Sequence, residues 1–294
     1  MYPSVIDNYV RPKSVDEAIA AIVDGGEDAM FIAGGMSLMQ AIKSRLVSPS
    51  CLVDLQDVSE IKGISSDDTG LRIGAMTRYR EMANADKLRG AYGALVDAAA
   101  HVGDRQVRNR GTIGGSLCWN YIAACTPAAC LGIGASVELV SRTGAKRTLV
   151  ADDFLGSPLE TAREDNEILV AVTLPTPEPN TGSAYKKWGL VADALPVVGV
   201  AVLVQTDAAG ICLRARVAFS GLGDGPCRSA AAEQVLIGAR ADETSKIGEA
   251  FEAAAAELEV QADMWADEDY RRLLMRELGK EVTATAFNRA ETGS

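Results

Sequence analysis

Two glycine pairs, each beside an apolar run, constrain this chain more than any other feature of its sequence. The first lies in Ala33–Ser37 (AGGMS), after the apolar residues 30–32, and the second in Thr112–Ser116 (TIGGS), before the apolar residues 117–119. Glycine lets the main chain approach a ligand closely and adopt positive φ angles. Consecutive N–H groups in such turns form a concave nest that binds an anion. Two nests on separate segments predict one diphosphate held from both sides, as in a dinucleotide cofactor.

Composition limits the classes of function. The chain has 294 residues, 48% hydrophobic and 23% charged, which suits a globular protein of two or three domains. Its formal net charge of −11 argues against nucleic-acid binding and against an anionic membrane surface, because both need a basic stripe. Charges or glycines interrupt every apolar run, so no membrane insertion is predicted.

The cellular compartment is predicted from two further features. Residues 1–5 (MYPSV) lack the basic-then-apolar order of a secretory signal. Six cysteines in a chain this long do not suggest a disulfide framework. Both features favour the reducing cytoplasm.

The N-terminal part, residues 1–57, is predicted to form a small βα layer. Apolar residues at helical spacing predict a helix over 15–23 with Ser14 as its N-cap. Short apolar runs predict strands at 30–33 and 51–55. A helix predicted over 37–46 begins just after the first glycine pair, which would direct its positive dipole end at an anion.

The remainder divides at the proline-rich segment 175–180 (PTPEPN), a predicted domain boundary. Residues 58–176 are predicted as a mixed α+β subdomain with strands at 71–75, 136–141, 147–150 and 167–174 and helices at 79–83 and 88–101. Residues 177–294 are predicted as a C-terminal domain with paired strands at 197–205 and 212–219 and helices at 229–237, 245–258 and 267–286. The predicted fold class is α+β, with a two-part region that carries both glycine turns followed by a domain of antiparallel sheet and helices.

Several stretches together resemble a known family. The most specific is 106–115 (QVRNRGTIGG). Others are 9–14 (YVRPKS), 33–38 (AGGMSL), 73–77 (IGAMT), 153–154 (DF), 167–169 (EIL), 199–202 (GVAV) and 270–272 (YRR). With these stretches the chain resembles, nearly end to end, the FAD-binding medium subunit of molybdenum hydroxylases, the group that includes carbon monoxide dehydrogenase and xanthine dehydrogenase. A Rossmann alternative is excluded, because Gly-x-Gly-x-x-Gly is absent where the first strand meets a helix.

The resemblance implies that FAD is bound between the first two parts and that the third closes over its ring. The cofactor residues it implies are Ile32, Ala33, Gly34, Gly35, Met36, Ser37, Thr112, Ile113, Gly114, Gly115, Ser116, Cys125, Ile168, Leu169, Lys186 and Lys187. No catalytic acid or base and no metal ligand is assigned to this chain. The flavin performs the redox chemistry, while the protein supplies position and electrostatics.

The resemblance also implies partners. A large subunit would carry molybdopterin and oxidise the substrate, and a small subunit would carry [2Fe-2S] clusters that relay electrons to FAD. The flavin would then reduce an external acceptor, and the assembly would be a dimer of heterotrimers.

Some positions depart from the family pattern. Cys125 stands where the family has an aspartate that contacts the cofactor, Tyr121 and Ile122 replace Asp-Pro, and Leu195 stands where some members have an aromatic residue. A neutral thiol is a poor acceptor for a ribose hydroxyl. Cys125 and Leu195 leave open the alternative of a flavin-free structural subunit. A further alternative is a stand-alone flavin oxidoreductase of the same fold. Ser116, in place of an asparagine, keeps a hydrogen-bond donor.

Other chemistry-bearing residues have simpler interpretations. Cys118, Cys125 and Cys130 are predicted as buried apolar side chains rather than as an iron–sulfur site, which needs four thiolates at tighter spacings. His101, the only histidine, is predicted near a helix C-terminus in a structural role.

The sequence leaves two possible roles open for a group of three arginines and two for a pair of tryptophans. Arg105, Arg108 and Arg110 are either solvated charges or a positive potential near the diphosphate. Trp119 and Trp188 either line the flavin or pack in the core.

Overall fold

The structure, a computed structural model, describes residues 5–67 and 70–293. Residues 1–4, part of the segment on which the signal-peptide prediction rests, lie outside the described residues. The strands are β1 (Asn8–Val10), β2 (Ala29–Ile32), β3 (Cys51–Asp54), β4 (Ile64–Asp67), β5 (Gly70–Gly74), β6 (Ser136–Ser141), β7 (Lys146–Val150), β8 (Glu167–Pro175), β9 (Thr181–Trp188), β10 (Val198–Thr206), β11 (Cys212–Ser220) and β12 (Cys227–Arg228). The α-helices are α1 (Val15–Asp24), α2 (Leu38–Lys43), α3 (Tyr79–Ala83), α4 (Gly93–His101), α5 (Arg105–Arg110), α6 (Ile113–Trp119), α7 (Cys125–Ile133), α8 (Ala151–Phe154), α9 (Ala230–Leu236), α10 (Thr244–Glu257) and α11 (Glu268–Thr292).

The strands form three sheets, and each sheet lies within one of the three predicted parts. The first is parallel, in the order β1-β3-β2. The second is antiparallel, in the order β4-β5-β8-β6-β7, and the third is antiparallel, in the order β12-β11-β10-β9. The predicted α+β fold class is confirmed, whereas the division at 57 and 176 stays a prediction. Among the described helices, none combines the length and apolar character needed to cross a bilayer.

Local signals explain the elements that the sequence located well. The Ser14 hydroxyl accepts a hydrogen bond from the Glu17 N–H, so it caps α1 as predicted. The predicted helix over 79–83 and the predicted pairing of the two long C-terminal strands, β10 and β11, are confirmed. His101 is the last residue of α4, as predicted.

The predicted helix over 88–101 is wrong in its first half. Gly90 has a φ of +64°, a left-handed conformation that a continuous helix cannot contain. The chain forms two short 3₁₀ turns, Asp86–Leu88 and Gly90–Tyr92, before α4 begins at Gly93. The sequence also missed α5, α6, α7, β4 and β9, most of which border the site described below.

Two large hydrophobic cores hold the molecule together. One lies under the first two sheets and includes Val53, Ile73, Leu95 and Ile113. The other fills the space between the third sheet and helices α9–α11, where the rings of Phe219 and Phe251 meet edge to face with centroids 6.4 Å apart.

A bidentate ion pair joins the C-terminal part to the middle part. Both terminal nitrogens of Arg289 in α11 bind the carboxylate of Asp97 in α4, at 2.6 and 3.0 Å. The same carboxylate accepts a hydrogen bond from the Tyr185 backbone N–H at 3.0 Å, and Arg289 also donates to the Ser183 carbonyl at 2.8 Å. Parts of the chain that are far apart in sequence are therefore fixed to each other at β9.

A second ionic cluster links the same two parts and predicts a pH dependence of stability. Asp152 in α8 binds Arg216 and Arg228 at 2.9 and 2.6 Å. Burial raises the pKa of its carboxyl, but hydrogen bonds and charges from Arg228 and Arg216 outweigh burial, so the net pKa lies below its ordinary value. A depressed folded-state pKa means that the stabilisation is complete above an unfolded-state pKa of about 3.9 and is lost as the pH falls through the folded-state pKa.

We therefore expect Asp152→Asn to lower the free energy of unfolding at pH 7 and to flatten its decline below about pH 4. Urea denaturation at a series of pH values measures both effects. Asp86→Asn is the control, because Asp86 is 88% exposed and its pair with Arg89 contributes little. Equal pH slopes for the wild type and Asp152→Asn would contradict this assignment.

Candidate cofactor site

The two glycine turns, about 80 residues apart in the sequence, are in direct contact. A Cβ atom built on Gly34 would lie 2.1 Å from the carbonyl oxygen of Arg110 and 2.9 Å from the Cα of Gly111. A Cβ atom on Gly115 would lie 3.4 Å from the Cβ of Ala33. Only glycine at position 34 allows the two backbones to approach this closely.

The second turn is fixed by backbone hydrogen bonds to the segment after β5. The N–H groups of Ile113 and Gly114 donate to the carbonyls of Thr77 and Ala75, at 3.1 and 2.9 Å. Gly114 packs against Ala75, since an added Cβ would lie 2.6 Å from the Ala75 Cβ. Thr112 caps α6, its hydroxyl accepting from the Gly115 N–H at 3.2 Å.

The two turns differ in the N–H groups that they offer. Within the described part of the chain, the N–H groups of Gly34, Gly35, Met36 and Ser37 have no acceptor, and Gly35 has a φ of +75°. The N–H groups of the second turn, from Ile113 to Ser116, are all bonded within the protein. The expectation that both turns present free N–H groups is therefore wrong for the second turn, which instead provides a closely packed support for the first.

A cavity of about 1410 Å³ opens at the junction of the turns. Small-molecule sites commonly measure about 300–1,000 Å³, so this cavity has room for a larger ligand such as a dinucleotide. Its walls come from all three parts of the chain. The predicted cofactor residues that line it are Ala33, Gly34, Gly35, Met36, Ser37, Thr112, Gly114, Gly115, Ser116, Cys125, Ile168, Leu169 and Lys187.

Three predicted cofactor residues do not line this cavity. Ile32 is buried in a small cluster with Leu38, and Ile113 is buried in the main core. Lys186 is exposed on the other face of β9, where its ammonium group pairs with Glu281. Side chains alternate between the faces of a strand, so Lys187 and Lys186 cannot face the same cavity.

Lys187 supplies a partly buried positive charge at the cavity wall. Its ammonium group donates to the Ala194 carbonyl in the loop between β9 and β10. Burial lowers the pKa of Lys187, and the neighbouring Asp193 carboxylate opposes that shift. Lys187 thus holds this loop, whose residues 193–196 also line the cavity.

A chain of hydroxyl groups connects the second turn to α7. The Thr126 hydroxyl donates to the Ser116 hydroxyl at 2.8 Å. Tyr79, whose side chain lines the cavity, is buried beside them. Burial raises the pKa of Tyr79, with hydrogen bonds to Ser116 and Thr126 opposing it, so its hydroxyl stays protonated at neutral pH.

The remaining sequence candidates separate into wall residues and core residues. Trp119 and Cys118 line the cavity, whereas Trp188 packs edge to face against Tyr270, 5.3 Å between ring centroids, in the C-terminal core. The predicted burial of Cys125 and Cys130 is confirmed, while Cys118 is half-buried. Burial raises the pKa of Cys118 to about 11 and that of Cys130 to about 12, so both are neutral thiols at neutral pH.

Two of the three arginines before the second turn, Arg108 and Arg110, bind polar groups of other residues. Arg108 donates to the carbonyls of Val102 and Gly103, and Arg110 donates to the Gln56 side chain at 3.2 Å. Sequence reasoning missed a further cation, Arg163, which lines the cavity and donates to the Glu164 and Glu167 carbonyls. A lone arginine in a polar loop gives no periodic or motif signal from which this position could have been found.

Comparison with known proteins identifies the family. The family described as "FAD binding domain in molybdopterin dehydrogenase" matches residues 4–177, and "CO dehydrogenase flavoprotein C-terminal domain" matches residues 183–286. The chain belongs to the FAD-binding medium subunits of molybdenum hydroxylases. It is a flavoprotein subunit of an oxidoreductase, with an FAD-binding domain that contains both glycine turns.

Individual relatives of this medium-subunit family match over most of their length. The chain is 32% identical to the 6-hydroxypseudooxynicotine dehydrogenase complex subunit alpha of Paenarthrobacter nicotinovorans, covering 99% of this chain and 97% of that protein. It is 34% identical to the carbon monoxide dehydrogenase medium chain of Afipia carboxidovorans, covering 82% and 83%. A solved structure of carbon monoxide dehydrogenase from Hydrogenophaga pseudoflava, which lacks the Mo-pyranopterin moiety, superposes with a TM-score of 0.91 at 31% identity, covering 98% and 99% of the two chains.

Proposed function

We propose that this medium subunit holds FAD in the cavity, accepts electrons from iron–sulfur clusters of a partner subunit and passes them to an external acceptor. One observation carries the proposal: four N–H groups, from Gly34 to Ser37, have no acceptor among the described residues and lie where the two glycine turns meet at a cavity of about 1410 Å³. Unpaired backbone donors that face an anion are the usual way in which proteins bind a diphosphate without a basic side chain.

The residues present fit FAD. The first turn would hold the diphosphate through its N–H groups, and the small residues of the second turn, Gly114 and Gly115, would leave room for it. The Ser116 hydroxyl and the backbone at Ile168 and Leu169 would provide further polar contacts. We retain Ala33, Met36, Thr112, Cys125 and Lys187 as cofactor residues and withdraw Lys186, whose ammonium group is paired elsewhere.

When bound, FAD supplies redox chemistry that links two-electron to one-electron carriers. The chain itself would bind the FAD, orient it and shield it from water. Apolar wall residues such as Phe31, Trp119 and Leu169 exclude water, and the partly buried Lys187 ammonium favours negative charge nearby. We assign no catalytic acid or base to this chain.

The proposed assembly has the subunits that membership of the family implies. We propose a large partner subunit with molybdopterin, a small partner with [2Fe-2S] clusters and a dimer of such heterotrimers in the cytoplasm. The six unpaired cysteines suit a reducing compartment. The names of the relatives include carbon monoxide dehydrogenase and 6-hydroxypseudooxynicotine dehydrogenase, so complexes of this family differ in their substrates.

The first test is the visible spectrum of the purified chain. We expect a yellow protein that releases about one FAD per chain on denaturation, because one cavity holds one cofactor. A chain that stays colourless after incubation with excess FAD would contradict the proposal and favour the flavin-free structural subunit.

A second experiment separates an electron-transfer subunit from a stand-alone oxidoreductase. Affinity isolation from the native host should recover molybdenum- and iron–sulfur-containing subunits with this chain. After the complex is stripped of FAD, substrate should still bleach the iron–sulfur absorbance while reduction of an external acceptor stops. An isolated chain that oxidises substrates without partners would support the stand-alone alternative.

A further inference from the structure

A buried arginine in the C-terminal part lies behind the cavity wall. Arg271 in α11 is 3% exposed, and among the described residues it is the only buried arginine or lysine. It belongs to the stretch 270–272 (YRR) and does not line the cavity. Burial of a guanidinium is costly unless its N–H groups are bonded, so its acceptors indicate what it holds.

The guanidinium of Arg271 binds two backbone carbonyls and one carboxylate. One terminal nitrogen donates to the carbonyls of Val197, at 2.6 Å, and of Gly221. The other terminal nitrogen pairs with Asp263 at 2.6 Å, and that carboxylate also accepts from the N–H groups of residues 265 and 266. Arg271 therefore joins three connecting segments of the C-terminal part at one point.

The first carbonyl, that of Val197, belongs to the base of the β9–β10 loop. Val197 follows directly on residues 193–196, which line the cavity, and its N–H donates to the Trp188 carbonyl at 2.8 Å. Lys187 holds the same loop from the cavity side. The loop is therefore anchored twice, by Lys187 in the cavity wall and by Arg271 in the interior of the C-terminal part.

The second carbonyl, that of Gly221, connects Arg271 to another part of the wall. Gly221 has a φ of +86°, and an added Cβ would lie 2.4 Å from the Val197 carbonyl oxygen, so only glycine fits there. The Gly221 N–H donates to the Ile122 carbonyl at 2.8 Å, within the segment 121–124, whose two end residues line the cavity. Two wall segments from different parts of the chain are thus linked through one guanidinium.

Resting on the proposed function, we propose that Arg271 is a positioning residue for the cofactor, which holds the wall segments 121–124 and 193–196 where FAD requires them. Arg271 itself does not touch the cofactor. Its contribution to affinity is a wall that is already formed before FAD arrives. If the wall is formed in only a fraction of the molecules, the apparent affinity falls by that fraction.

A purely stabilising role does not require a guanidinium at this position. Replacement of a buried ion pair by well-packed apolar side chains is often neutral or stabilising, so a charge is not needed to fill a core. The Nε of Arg271 has no acceptor in the described part of the chain, which adds to the cost of burial. What the guanidinium alone supplies is a planar set of donors that reaches two carbonyls and a carboxylate at once.

FAD titration of two destabilised variants tests this role, at a temperature at which both are folded. Arg271→Met removes the donors, whereas Met275→Ala removes packing from the same helix, at a fully buried residue that does not line the cavity. Arg271→Met should bind FAD about tenfold more weakly, the shift expected when one hydrogen bond to a charged group no longer holds the wall. Met275→Ala should stay within about twofold of the wild type, because its wall remains formed.

Hydrogen exchange of the apoprotein measures the order of the wall itself. Arg271→Met should speed up exchange in peptides that cover 119–126 and 189–197, and saturating FAD should restore their protection. Met275→Ala should instead speed up exchange in the C-terminal helices. Arg271→Lys keeps a charge and a donor but lacks the fork, so its affinity and exchange should lie between those of the wild type and Arg271→Met.

The outcomes separate this inference from the proposed function. Equal FAD affinities of Arg271→Met and Met275→Ala, or unchanged exchange at 119–126 and 189–197, overturn the inference alone. If Arg271→Met does not fold, Arg271→Lys takes its place in the same comparison and is judged in the same way. Absence of FAD binding by the wild type overturns both.

Discussion

Replacement of Gly34 by alanine is expected to remove most FAD from the purified protein. The added Cβ would lie 2.1 Å from the Arg110 carbonyl oxygen and 2.9 Å from the Cα of Gly111. Both are backbone atoms, so the contact is relieved only if the two turns separate. Overpacking of this kind costs about 1–3 kcal/mol or more, which corresponds to at least about fivefold to 150-fold weaker FAD binding. The ratio of flavin to protein absorbance and an FAD titration measure the loss.

Gly248→Ala is the matched control for this substitution. Gly248 lies inside α10, where an added Cβ would meet only the Lys280 side chain at 3.9 Å. Alanine in a helix interior should stabilise the protein by about 0.5–1 kcal/mol and leave FAD binding unchanged. Wild-type FAD affinity in Gly34→Ala would mean that the contact between the turns does not form the site.

Replacement of Asp97 by alanine is expected to cost about 3 kcal/mol of unfolding free energy. The substitution leaves the Arg289 guanidinium without its carboxylate and the Tyr185 N–H without its acceptor. The two charged side chains are 24% and 19% exposed, so the loss should fall at the lower end of the range measured for buried pairs. Urea denaturation at neutral pH measures it.

The control for Asp97 is the exposed pair of Arg89 and Asp86, whose side chains are 65% and 88% exposed. Asp86→Ala should change the unfolding free energy by less than about 1 kcal/mol. If Asp97→Ala behaved like Asp86→Ala, the contact between α4 and α11 would not be what holds the C-terminal part in place.

The sequence located those features that depend on local chemistry. The N-cap at Ser14 and the alternating or continuous apolar runs of β3, β6, β8, β10 and β11 are visible in a window of about ten residues. The two glycine turns were equally visible, because a Gly-Gly pair beside an apolar run is a local pattern.

What the sequence could not provide was contact between distant segments. The second turn offers no free N–H groups because Ala75 and Thr77, nearly 40 positions earlier, accept from Gly114 and Ile113, and Thr112 accepts from Gly115 and Ser116. The polar composition of 181–188 concealed β9, and without β9 the alternation that separates Lys187 from Lys186 could not be applied. Glycines in 113–119 likewise concealed α6, which forms because Thr112 caps it and Ala75 packs against Gly114.

Residues from all three sheets line the cavity, so binding of a ligand there is thermodynamically coupled to folding of the chain. In the denatured chain, residues near 34, 115 and 187 are not held together, so a ligand that contacts all three binds only the native state. A free ligand concentration of 100 times the dissociation constant therefore stabilises the native state by about 2.7 kcal/mol. Cells short of riboflavin-derived nucleotide would therefore accumulate a chain that opens more often and is degraded sooner.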